Sequence, residues 1–154
     1  MNIYEEIKAD HDKQRELCDK LQQTGSASDD RKKLWVELKK ELEVHAVAEE
    51  RYFYSPLIET DEMQEDARHG MAEHHEMDEL IEELDNSDIK SPEWLENLGK
   101  LIQKVEHHLK DEEEDFFKKA KDIYKEDEVL SLAKGYQETV EEYRKSWPES
   151  VPGN

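Results

Sequence analysis

The sequence predicts an all-α protein. Residues 1–124 are expected to form an antiparallel up-down-up-down four-helix bundle, and residues 125–154 a C-terminal helix and tail that pack on the bundle or extend it. Three observations carry this expectation. Apolar residues recur every three or four positions in long stretches, with no useful strand-like alternation. Short polar connections join the stretches, which makes consecutive helices antiparallel neighbours. Four of the stretches each carry a histidine on the apolar face, and at 1.5 Å per residue their depths agree to within roughly one or two turns.

The first helix, from about Asn2 to Gln23, sets Tyr4, Ile7, His11, Gln14, Cys18 and Leu21 on one stripe. Gly25-Ser26-Ala27-Ser28 breaks it, and Ser28 is placed to cap the second helix ahead of Asp29 and Asp30. Leu34, Leu38, Leu42, His45, Glu49 and Phe53 form the inner face of that helix. Pro56 should end or bend it, with Ser55 biased away from helix. Thr60 is placed to cap the third helix, whose inner face is Ala67, Gly70 or Met71, His74, Met77, Ile81 and Leu84. Asp85-Asn86-Ser87-Asp88 should stop it. Ser91-Pro92 opens the fourth, a cap followed by proline at the first helical position. Trp94, Leu98, Leu101, Val105, His108, Glu112 and Phe116 then point inward. A fifth helix, from about Glu126 to Tyr143, packs Val129, Leu132, Tyr136 and Val140, and the chain past Trp147-Pro148 is expected to fray.

Composition narrows the function. The 154 residues fit one domain, with 42% charged and 34% hydrophobic residues, so the core is expected to be a narrow seam between helices. Bound metal can supply part of its stability. A formal net charge of −20 argues against nucleic acid and anionic membranes as partners. No apolar run approaches the roughly 20 residues of a membrane span. The N-terminus has neither the basic start nor the apolar stretch of a secretory signal, so a cytoplasmic protein is expected. The single cysteine, Cys18, lies on the apolar face of the first helix and reads as a small buried residue rather than a reactive thiol. Monomer and homodimer both remain open.

The chemistry sits in a repeated spacing. His45-Ala-Val-Ala-Glu49 places an imidazole and a carboxylate one turn apart on one face, and His108-Leu-Lys-Asp-Glu112 repeats it. Each Glu is followed by another, Glu50 and Glu113, and Phe53 and Phe116 follow on the same faces. Asp10-His11 and Glu73-His74 add one isolated histidine on each of the other two helices. One buried histidine is usually a hydrogen-bonded core residue. Four histidines and two inward carboxylates fit that reading poorly, because burying unpaired carboxylates costs several kcal/mol each. A pair of cations removes the cost, and imidazole with carboxylate suits Fe, Mn or Zn.

The Glu-x-x-His code of ferritin-like di-iron bundles is absent, since Lys8, Leu42, Met71 and Val105 stand three positions before the histidines. The ordered set Asp10-His11, His45-x-x-x-Glu49-Glu50, Glu73-His74 and His108-x-x-x-Glu112-Glu113 instead resembles the hemerythrin-like, or HHE cation-binding, domain family over roughly residues 1–120. The resemblance implies two non-haem iron ions, oxo- or hydroxo-bridged, with His11, His45, Glu49, His74, His108 and Glu112 as metal ligands and the two Glu as bridges. Zn or Mn could substitute. It departs from the oxygen-carrying hemerythrins, which have a second histidine four residues along the third helix. Here Gly70 and Asp78 stand at that spacing from His74.

The implied function is a metal-binding protein that binds or reacts with oxygen, peroxide or nitric oxide, in sensing or stress response. Alternatives are a di-iron enzyme with catalase-like or nitric-oxide-reducing activity and an iron-handling protein. His75 and His107 fall about 100° off the inner faces and are expected at the surface or in a supporting role. Glu50 and Glu113 are expected at the surface rather than as ligands. His69 is a candidate extra ligand or pocket proton donor. Phe53 and Phe116 are expected to form the apolar floor of the pocket.

Overall fold

Caps start the helices where the sequence supplies them. In this computed structural model, which describes residues 1–25 and 28–148, the Asn2 side chain accepts the Glu5 N–H at 3.0 Å, and Glu5 returns the bond at 3.1 Å. This capping box opens α1 (Ile3–Gln22). Ser28 accepts the N–H groups of Asp30 and Arg31 and opens α2 (Asp29–Glu49). Ser91 accepts the Trp94 N–H at 3.2 Å and opens α5 (Pro92–Asp111) with proline in its first turn. The Ser26-Ala27 part of the first break and the tail expected to fray after Pro148 lie outside the described residues.

Two expectations about boundaries are corrected. Ser55 and Pro56 do not end the second helix. A π-helical turn, Glu50–Tyr54, follows α2, and α3 (Ser55–Ile58) continues from it with Ser55 itself in helical geometry. The wider turn carries the chain past the missing proline N–H, and both the N–H and the hydroxyl of Ser55 donate to the Glu50 carbonyl. Thr60 does cap, but it caps a turn: its hydroxyl accepts the Met63 N–H at 3.2 Å, and α4 (Gln64–Asp85) begins only at Gln64. A second π turn, Glu112–Phe116, leads from α5 into α6 (Phe117–Ala120). The last helix is α7 (Glu126–Ser146), three residues longer than expected.

Two apolar clusters sandwich a polar layer. One is built by Leu17, Leu21, Leu38, Ile81, Trp94 and Leu98 and their neighbours. The other gathers Ile3, Ile7, Phe53, Tyr54, Phe117 and the inner face of α7. Every site histidine lies along its helix between residues of the two clusters. Two inner-face assignments shift by one residue: Trp35 is buried where Leu34 is half-buried, and Ala133 where Leu132 is half-buried. Cys18 is buried, and burial pushes its thiol up to about 12. The fifth helix packs on α1 and α2, where Gly135 lets the Tyr52 ring approach closer than any Cβ would allow. Among the described residues, no helix is long and apolar enough to cross a membrane.

Candidate metal centre

The middle of the seam is polar and buried. His11, His45, Glu49, His74, His108 and Glu112, the six residues singled out in the sequence, are all at most 5% exposed. The structure brings them together as two donor sets. His11, His45, Glu49 and Glu112 can present atoms within 4.8 Å of one another, and so can Glu49, His74 and His108. Glu49 belongs to both.

Each histidine is turned by a partner behind it. Glu113 faces His11 Nδ1 at 2.7 Å, Glu50 faces His74 Nδ1 at 3.0 Å, and Glu73 faces His108 Nδ1 at 2.8 Å. His45 Nδ1 lies 2.6 Å from the Tyr136 hydroxyl, which donates onward to Asp10. Carboxylates only accept, so these Nδ1 atoms carry the proton and Nε2 presents a lone pair to the centre. Those lone pairs face carboxylate oxygens: His11 Nε2 is 3.1 Å from Glu112, His74 Nε2 3.1 Å from Glu49, and His45 Nε2 3.4 Å from Glu49. Two acceptors at that distance repel unless a cation, a proton or a metal, lies between them.

The unpaired atoms tell the same story. His11 Nε2, His45 Nε2, His74 Nε2, both Glu49 oxygens and Glu112 Oε1 are buried without a hydrogen-bond partner. Buried polar atoms are otherwise nearly always satisfied. The protein's own charges answer with displaced protonation. Burial would push His45 and His108 down, yet Glu49 and the carboxylates behind them win, and His108 is raised to about 10. Burial would raise Glu49, but His45 and its neighbours hold it well below the usual range, while burial and the Glu49 charge push Glu112 up. Metal ions would replace these protons in the same positions, and the donor set fits them.

The sequence reading missed four kinds of participant. The surface placement of Glu50 and Glu113 is corrected, since both turn a histidine. Glu113 is also gripped through two oxygens by Arg15 at 2.9 Å, and the His11 contact together with that of Arg15 overcomes burial and lowers it to about 2. Asp10 and Glu73, each the residue before an isolated histidine, turn the histidine of a neighbouring helix. The signal for all four was the acidic half of each motif dipeptide. Tyr54 donates a very short hydrogen bond to Glu112, lies 3.4 Å from His108 Nε2 and stacks on His74. Tyr136 joins from α7. Nothing in the α-helical period points to Tyr54, because only the π turn buries both Phe53 and Tyr54. Gly70 admits the Tyr54 phenol, where an added Cβ would meet the ring at 2.7 Å.

His75 and His107 are exposed, and His75 pairs with Glu79 at 3.3 Å on the surface. His69 is exposed and stands outside both donor sets. Phe53 and Phe116 are buried with ring centres 5.3 Å apart, below the donors. On the α4–α5 side a cleft of about 20 Å³ reaches Tyr54, His108 and Glu112, room for a water-sized molecule.

Residues 2–120 match the family model described as Hemerythrin HHE cation binding domain. Among solved structures, the chain is similar to a crystal structure of a hemerythrin HHE cation binding domain-containing protein from Mycobacterium kansasii. The two share 23% sequence identity with a TM-score of 0.84, over 95% of this chain and 89% of that one. No curated protein matches the chain.

Proposed function

The chain belongs to the hemerythrin HHE cation-binding domain family, and on that premise we propose that it is a non-haem di-iron protein that binds or reacts with oxygen or a related small oxidant such as peroxide or nitric oxide. The observation that carries this reading is the set of unpartnered, buried donor atoms, each histidine already turned with its proton outward. Iron bound there would supply exchangeable coordination and a redox couple.

The chain's own residues do the rest. His11, His45, Glu49 and Glu112 would hold one ion, and Glu49, His74 and His108 the other, with Glu49 and Glu112 between them. Glu50, Glu73, Glu113 and the Tyr136–Asp10 pair fix the histidine rings and raise their basicity. Tyr54 places a phenol oxygen at the end of the cleft, against Glu112 and His108, where an entering small molecule arrives. It is positioned to donate a proton or to serve as a further donor. Phe53 and Phe117 keep water from the far side, and Phe116 lines the cleft.

The test is elemental analysis of protein from iron-replete cells, followed by optical spectra on adding oxygen, peroxide and nitric oxide separately. About two irons per chain and a spectral change with one of these supports the reading. Rapid oxygen release from peroxide assigns the enzyme alternative. Protein that takes up neither Fe nor Zn overturns it.

A further inference from the structure

A third group of metal-type donors lies outside the buried centre. His69, Glu73 and Asp111 can bring one atom each within 4.8 Å of one another. They line the same cleft that reaches His108 and Glu112. His69 and Asp111 are exposed, whereas Glu73 is 4% exposed. We propose that these three residues form an outer cation site through which divalent metal is delivered to the buried donors. The proposal rests on the reading of those donors as a metal centre.

The geometry is that of a relay. One Glu73 oxygen lies 3.6 Å from the exposed His69 Nε2 and 2.8 Å from the buried His108 Nδ1. The same carboxylate therefore belongs to the outer group and to the frame of the inner one. Asp111 and Glu112 are consecutive and both line the cleft, Asp111 exposed and Glu112 buried, with Glu112 Oε2 against Tyr54 and 3.6 Å from His108 Nε2. The Asp111 side chain makes no hydrogen bond or ion pair among the described residues. The other acids near the rim, Asp66 and Asp115, are both answered by Lys119 at 3.3 and 3.6 Å. An imidazole with two carboxylates suits Fe, Mn, Co or Zn. Three donors, two of them open to solvent, form a site that a cation can enter and leave, unlike a closed four-donor structural site. On the opposite face the helix α7 packs over α1 and α2, so the cleft is the short way in.

The test is Co(II) uptake by the metal-free full chain, followed by its optical spectrum in a stopped-flow instrument. His69→Gln and Asp111→Asn remove outer donors without touching the buried set. Both should end with the buried donors filled as in the wild type, with the spectrum of that centre unchanged, but load them about tenfold more slowly, the low end of the range for focused charge. Equilibrium titration of the wild type should show an extra, weaker Co(II) that Asp111→Asn loses. Glu114→Gln removes one exposed charge outside the outer group and should load at the wild-type rate. Unchanged rates in the two cleft variants overturn the proposal, as does equal slowing in Glu114→Gln, which would make the effect one of net charge. Reduced final occupancy of the buried centre in His69→Gln also overturns it, by making His69 an inner donor. A wild-type chain that binds no Co(II) overturns the metal-centre reading itself, a different and recognisable result.

Discussion

On the α1–α2 side, His45 reaches Asp10 through the Tyr136 hydroxyl, and Arg144 ties Asp10 to the buried Glu41 at 3.2 and 2.8 Å. A whole helix, α7, stands behind the donors. On the α4–α5 side, Glu73 holds His108 directly and the cleft opens between the helices. The inner residues differ in the same sense. Nine residues after His45 stands Tyr54, whose phenol meets Glu112; nine after His108 stands Phe117, an apolar ring beside His11. The repeat therefore builds the same donors twice, while the surroundings make one half closed and the other reachable. Coordination capacity comes from the symmetric part and access from the asymmetric part.

The largest effects should come from the shared carboxylate. Glu49→Gln touches both donor sets and should leave the chain close to metal-free by elemental analysis. His74→Ala touches one set and should lower the content from about two ions to about one. A fully loaded His74→Ala protein would break the division into halves. Metal removal comes next. At a free-metal concentration a hundredfold above Kd, each ion adds about 2.7 kcal/mol, so chelating two should lower Tm by roughly 11–22 °C in a chain of this size. Hydrogen exchange should rise more in α4 and α5 than in α1 and α2, which keep the Tyr136–Asp10–Arg144 ties. Equal rises would remove the asymmetry.

The two tyrosines should respond differently. Tyr136→Phe leaves Asp10 and His45 without their link and should cost about 1–3 kcal/mol in chemical denaturation. Tyr54→Phe should change the optical spectrum or metal affinity by about 10–100-fold at a smaller stability cost. A milder effect comes with acid. Glu113 titrates near 4.5 when unfolded and about 2 when folded, so its contribution is present above 4.5 and is lost as pH falls towards 2. Arg15→Ala weakens the hold and should move the acid unfolding midpoint, read by circular dichroism, to higher pH. The smallest effects belong to His75→Ala and His107→Ala. Both should keep full metal content and lie within about 0.5 kcal/mol of wild type. If His107→Ala emptied the centre while His108→Ala did not, the face assigned to α5 would be wrong.

The four long helices, their order and the polar layer were legible because the apolar period of 3.6 holds from Leu38 to Glu49 and from Leu98 to Glu112. The six inner residues follow from the same period. What failed was the strict use of that period past each pair. Ser55-Pro56 carries a local bias against helix, yet a π turn and the packing of Leu57 override it. Tyr54 was invisible for the same reason. Glu50 and Glu113 were set aside because they fall a step off the inner face. A residue a step off that face points along the seam to the next helix, which is where the Nδ1 atoms of His74 and His11 lie. Tyr136 read only as an apolar residue of the last helix, since its hydroxyl partner is 126 positions away in sequence.

The π turns bear on how relatives should be aligned. The first begins just after Glu49 and the second at Glu112, and each behaves as a one-residue insertion, so a relative with regular helix there will require a single-position gap within 50–54 or 112–116. Deleting one residue within 50–54 would leave His45 and Glu49 where they are and rotate everything downstream by about 100°. Tyr54 would swing away from Glu112, and Pro56 would fall back into an ordinary helical turn that it does not tolerate. The donors and the phenol beside them can thus be gained or lost separately, by a change in chain length of one residue and no change in the donors themselves.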